Sequence, residues 1–319
     1  MKLKANKRLK ISDINKLAIA FGASTMLLGV AYPSEASLLW SRTEDPHNDS
    51  HASDGSNTYE IYGGGFAQDN DYAYFALDTN LGLYGKYTGP YVSGYRVADS
   101  NIGWGDFFFD PGGATFNDGL ATGRMLGFKF APDNDSLVTS QGVYSGVTGA
   151  SVTSQNAGFA NIASNNYYVG GRAKMGSLDP SHPYYSGNGY GTKTANVIGS
   201  GTYIGGLSTI DRSELHNLGF GTYGSGSFGF KVSKSLLPLG DFVATVFQEC
   251  LNEGFALIGD ITPSRAPTPS PQPEVSQPAE PVDVPETTPV VALLALGGLG
   301  IVQRILRKQS TVAILEVNK

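Results

Sequence analysis

The clearest pattern along the chain is alternation with a period of two. In Phe228-Gly-Phe-Lys-Val232, Phe228, Phe230 and Val232 fall on one side, Gly229 and Lys231 on the other. That is the pattern of a strand with one buried face. Asp71-Tyr-Ala-Tyr-Phe-Ala-Leu-Asp78 and Met125-Leu-Gly-Phe-Lys-Phe130 read likewise. Phe242-Val-Ala-Thr-Val-Phe247 is apolar on both sides, which suits a strand covered on two faces. Thr58 to Ile61, Ile102 to Phe109, Tyr167 to Arg172, Thr202 to Ile204 and Phe255 to Ile258 are further expected strands. Clusters of Gly, Asn, Asp and Pro separate them. One short helix is expected over 211–218, where Asp211 can cap, Glu214 follows three residues on and Gly219 ends the turn. Many short strands with few helical partners predict an all-β body, a β-sandwich or jelly roll.

Composition agrees. The chain has 319 residues, of which 42 are Gly, 17 Tyr and 16 Phe, and only 16% are charged. High aromatic content with low charge excludes a disordered chain. A single Cys excludes an internal disulfide framework. The net charge of −6 argues against nucleic acid as a partner. The span 37–262 carries 11 Lys and Arg against 21 Asp and Glu, a net of −10.

Both ends depart from this pattern. Lys2, Lys4, Lys7, Arg8 and Lys10 precede a largely apolar stretch from Leu17 to Tyr32. Ser34-Glu35-Ala36 then places small residues at the −3 and −1 positions of a cleavage site. Residues 1–36 are thus an expected signal peptide, cleaved between Ala36 and Ser37 by signal peptidase. At the other end, 263–289 holds nine prolines, an extended linker that cannot pack a core. Residues 290–302 then run without a charge before Arg304, Arg307 and Lys308. Thirteen helical residues reach about 20 Å, short of a hydrocarbon core of about 30 Å. Gln303, Ile305 and Leu306 extend the span if Arg304 snorkels. A transmembrane helix over 290–303 is expected, with 304–319 as a basic cluster and tail on the cytoplasmic side.

Val284-Pro285-Glu286, the Gly-rich apolar stretch and the basic run Arg304 to Lys308 together resemble the PEP-CTERM sorting signal. The resemblance implies export in a Gram-negative bacterium and processing by exosortase near Pro285 and Glu286. Thr287 stands where the family usually has a second Pro, and Gln309 to Lys319 prolong the usual end. Asn101-Ile-Gly-Trp-Gly-Asp-Phe-Phe-Phe109 is similar to a segment of cyanobacterial exosortase-dependent surface proteins (the XDD and XDP groups). So are Leu218 to Phe230, Ser235 to Leu239 and Asp241 to Gly254. The implied location is the inner membrane before processing, then the cell surface or extracellular matrix. The resemblance carries over no catalytic residue.

Candidate chemistry within the body is sparse. Asp69-Asn70-Asp71 and Asp133-Asn134-Asp135 offer alternating oxygens of the kind calcium takes, but each also reads as a turn. Glu44, Asp45, Asp49 and Asp54 read as a solvated lead-in to the first strand. His47 and His51 are four apart but lie among Pro46, Asn48, Ser50 and Gly55, a loop without further zinc ligands. Cys250 reads as a buried, inert thiol beside an apolar strand. No metal, cofactor or catalytic set is expected, and no enzyme activity. Tyr84, Tyr87, Tyr91 and Tyr95, and Tyr184, Tyr185 and Tyr190, lie in Gly-rich stretches. Exposed, they would offer stacking faces for a glycan. Their expected role is to fill a core poor in Leu and Ile. The sequence therefore predicts an exported surface or matrix protein, with a carbohydrate-binding adhesion module as the alternative and a secreted hydrolase as a weaker one.

Overall fold

Alternation along Tyr72–Thr79 explains how the layers form. Ala73, Phe75 and Leu77 point into one core, while Tyr74 and Ala76 point into another. The computed structural model describes residues 37–112 and 115–264. The signal segment up to Ala36, the linker with Val284, Pro285 and Glu286, the apolar stretch, and Arg304, Arg307 and Lys308 lie outside the described residues. Those described belong to one compact unit and are mostly β-sheet. None of their helices is long and apolar enough to cross a membrane.

The strands are β1 (Ser41–Glu44), β2 (Ile61–Gln68), β3 (Tyr72–Thr79), β4 (Lys86–Tyr87), β5 (Tyr91–Val92), β6 (Tyr95–Arg96), β7 (Asn101–Ile102) and β8 (Trp104–Asp110). Then follow β9 (Leu126–Lys129), β10 (Gly142–Ala150), β11 (Val197–Gly205), β12 (Leu207–Ile210), β13 (Phe228–Ser233), β14 (Gly240–Gln248) and β15 (Gly254–Ile261). One antiparallel sheet runs β1-β2-β3-β13-β12 and a second runs β11-β10-β9-β8-β14-β15.

The two sheets meet through aromatic rings. Phe75 of β3 lies 5.2 Å from Phe107 of β8 and 5.7 Å from Phe128 of β9, between ring centroids. Phe66 meets Phe242 at 5.0 Å, and Trp104 meets Phe228 at 5.5 Å. Such pairs add about 0.5–1.5 kcal/mol each beyond area burial. In β8, Phe107 and Phe109 face this shared core, while Phe108 turns to a second cluster with Phe116, Met125, Tyr184, Tyr185 and Phe247. That second cluster explains why β14 is apolar on both faces. A third cluster, with Leu215, Leu218 and Phe220, covers the outer side of the first sheet.

The helix Arg212–Asn217 forms where the sequence places it. The Asp211 side chain accepts the Glu214 N–H at 2.9 Å, and Gly219 leaves the helix at φ +86°. Two local expectations fail. Tyr167 to Arg172 is not a strand: Ile162–Tyr168 is a helix, because the Asn161 side chain caps it by accepting the Ser164 N–H at 2.8 Å. Of Thr58 to Ile61, only Ile61 is in a strand.

Candidate functional site

Two short hairpins leave the body between β3 and β8. In the first, β4 pairs with β7; in the second, β5 pairs with β6 through Ser93 and Gly94. Both turn residues have positive φ, 49° and 83°, as the tight two-residue turn of a twisted hairpin needs. Neither hairpin packs its rings inward: Tyr84, Tyr87, Tyr91 and Tyr95 are exposed, Tyr87 at 77%. The expectation that these rings fill a core is corrected. The core is closed by Phe, and strands of two residues are too short to cover a face. Tyr190 is also exposed, whereas Tyr184 and Tyr185 are buried as expected.

The hairpins border a cleft of about 720 Å³. Tyr87, Val92 and Tyr95 come from the hairpins; His51, Phe159 and Tyr168 form a second group of rings. Phe159 and Tyr168 are 4.9 Å apart between centroids, and His51 lies 5.5 Å from Phe159. Lys86, Thr88, Ser164 and Asn252 add polar groups to the lining. Apolar faces with a few polar groups in a volume of this size are the usual make-up of a small-ligand site.

The loop that gives His51 to this lining also contributes to a buried carboxylate group. Asp45, Asp49 and Glu253 bring ligand oxygens within 4.8 Å of one another. Each has one oxygen held by a backbone N–H. Asp45 Oδ1 accepts from Gly176 at 2.7 Å, Asp49 Oδ2 from Lys174 at 2.7 Å and Glu253 Oε2 from Ile61 at 2.6 Å. The other oxygens, Asp45 Oδ2, Asp49 Oδ1 and Glu253 Oε1, are buried with no donor from outside the group; the proton that Glu253 carries is shared with Asp45 and Asp49. Buried Glu60 stands next to them, accepting from the Asp49 N–H at 3.4 Å and from Ser50 Oγ at 2.5 Å. Burial, with the charge of Asp49 adding to it, pushes Asp45 up to about 8. Burial foremost raises Asp49 to about 6, and burial plus the charges of Asp45, Glu60 and Asp49 carries Glu253 well above the carboxylate range. The reading of Asp45 and Asp49 as a solvated lead-in is therefore corrected, Asp49 being 1% exposed.

The other sequence candidates resolve into structure. Asp69 accepts the N–H groups of Asp71 and Tyr72 and the Tyr74 hydroxyl, at 2.6–2.8 Å, which makes that acidic run a turn. Asp135 accepts from Asn156 at 2.8 Å and donates its N–H to buried Glu249 at 2.6 Å. His47 packs on Tyr62 and Tyr223 while His51 faces Phe159, so the pair does not converge on one ion. Cys250 is free and buried, and burial raises its thiol to about 12. His216 bonds Thr222 on an exposed face. Ser37 opens the described chain, where Leu38 N–H donates to Leu218 O at 3.0 Å. The carboxylate group escaped sequence reasoning because Glu253 is far along the chain from Asp45 and Asp49. The hairpin did carry a signal, Ser93-Gly94 between Val92 and Tyr95.

No known family, curated protein or solved structure matches the chain.

Proposed function

We propose that the chain is an exported surface protein whose body, a β-sandwich, binds a neutral carbohydrate in the aromatic cleft. The observation that carries the binding half is the set of exposed rings Tyr87, Tyr95 and Tyr168 on a lined cleft. A sugar ring is polar at its rim and apolar on its C–H faces. It stacks on an exposed aromatic while nearby Asn, Ser and Lys groups take its hydroxyls. The net charge of −10 on the body disfavours polyanionic glycans. Among the described lining residues Asp54 is the one carboxylate. Glycoside hydrolysis ordinarily needs a pair, so binding without cleavage is the better reading. Export rests on the signal-peptide pattern of residues 1–36, and exosortase sorting and release to the surface or matrix on the resemblance of the C-terminal segment to the PEP-CTERM signal.

The test is a glycan array probed with the full chain, followed by titration of the best binder. Binding to neutral saccharides is expected. Tyr87→Ala and Tyr168→Ala should each weaken it at least tenfold while leaving the melting temperature within about 1 °C, because both rings are exposed. An array without signal, or variants that bind as well as the parent, would defeat the cleft reading.

A further inference from the structure

We propose that Asp45, Asp49 and Glu253 form a calcium site that fastens the loop 45–60 to the start of β15. This inference stands independently of what the cleft binds.

The geometry carries it in three ways. First, the three carboxylates converge within 4.8 Å. Two oxygens on one calcium at about 2.4 Å lie at most about 4.8 Å apart. Second, each carboxylate is oriented by one backbone N–H and keeps its other oxygen buried, turned towards the group and without a donor from any other residue. A buried acceptor without a donor is costly and rare in folded proteins. Three of them in one group are the free lone pairs that a cation takes. Third, no positive side chain answers them. Among the described residues the ion pairs are Arg42 with Glu44 and Asp78, and Arg124 with Asp110. Buried carboxylates ionise only at a cost without a counter-ion, and buried Glu60, bonded to the Asp49 N–H, adds a fourth beside them.

The donor set is all oxygen, so a hard cation fits. Magnesium usually keeps several waters and takes one or two carboxylates, whereas calcium accepts several carboxylates in a flexible cage. The site joins segments distant in sequence. Asp45 follows β1, Asp49 lies in the loop, Glu253 precedes β15, and the backbone of Lys174 and Gly176 braces the group. The same loop gives His51, Ser53, Asp54, Thr58 and Tyr59 to the cleft. A cation here would hold that part of the cleft in place.

The experiment uses the full chain in mild detergent, stripped with a chelator and titrated calorimetrically with calcium chloride and, separately, magnesium chloride. One calcium per chain is expected, binding at least tenfold tighter than magnesium. At a hundredfold excess over Kd the melting temperature should rise by about 5 °C or more. Glu253→Gln and Asp45→Asn should each weaken calcium at least tenfold. The stripped variants should melt no lower than the stripped parent, because each replaces one of several crowded buried carboxyls by an amide that can donate to the others; a purely structural carboxylate would show a lower melting point. Asp71→Asn, in the exposed acidic turn, should titrate like the parent. The proposal is overturned if the parent shows neither calcium heat nor a thermal shift, or if Glu253→Gln binds unchanged. Loss of binding in Asp71→Asn would also overturn it, and equal magnesium affinity would overturn the choice of calcium.

Discussion

Asp69 and Glu249 show how surroundings divide two carboxylates. Partial burial raises Asp69, but the Tyr74 hydroxyl and two backbone N–H groups outweigh it and hold it below its ordinary value. Glu249 also accepts two backbone N–H groups, from Gly103 and Asp135 at 2.6 Å. Deeper burial prevails there and pushes it up to about 8. A carboxyl whose folded pKa lies above its unfolded value binds extra protons in the native state. Its contribution is complete below about 4.5 and is lost as pH rises through about 8. Glu249→Gln cannot ionise. At fixed calcium, its melting temperature should fall less between pH 5 and 8 than the parent's, even if it starts lower. An unchanged pH slope would show that Glu249 titrates normally.

At the scale of elements, β8 is the strand with least freedom. All seven of its residues are buried, and Gly105 sits where a Cβ would meet Asn196 O at 1.9 Å. The Asp106 N–H donates to that same carbonyl at 2.9 Å. Gly105→Ala must push the Asn196 segment off the sheet. A loss of roughly 1–3 kcal/mol is expected, as for other overpacked sites, read as a clear drop in melting temperature. A variant as stable as the parent would mean that the segment yields freely. β14 was legible because Phe242 to Phe247 is apolar on both sides, which suits a strand covered on two faces, and β8 falls within the expected strand Ile102 to Phe109. The expected strand Tyr167 to Arg172 overlaps the last two residues of the helix Ile162–Tyr168. Tyr-Tyr-Val is good strand material, and the Asn161 cap that decides the matter lies six residues upstream of Tyr167.

For the whole molecule, the proposed export and sorting predict which segments of the chain are lost. Intact-mass spectrometry of membrane and extracellular fractions is the direct measurement. The proposal expects a product starting at Ser37 and lacking the segment from about Pro285 onward. A product that keeps the C-terminus would mean a permanently anchored protein, with Thr287 or the 309–319 tail defeating the sorting signal. Either product retains residues 37–264, which hold the three hydrophobic clusters described above.

Local order was written in the sequence. Alternation placed Phe228, Phe230 and Val232 on one face, and Asp211 and Gly219 bounded their helix. These features act over a few residues, where backbone geometry alone decides which side chains share a side. The cleft and the carboxylate group were not readable in this way. Whether Tyr87 is covered or exposed depends on what else fills the core. Whether Asp45 and Asp49 are solvated depends on Glu253 and the backbone of Lys174 and Gly176 arriving beside them. Burial and electrostatic coupling are properties of neighbours in space, and only the tertiary structure brings those neighbours together.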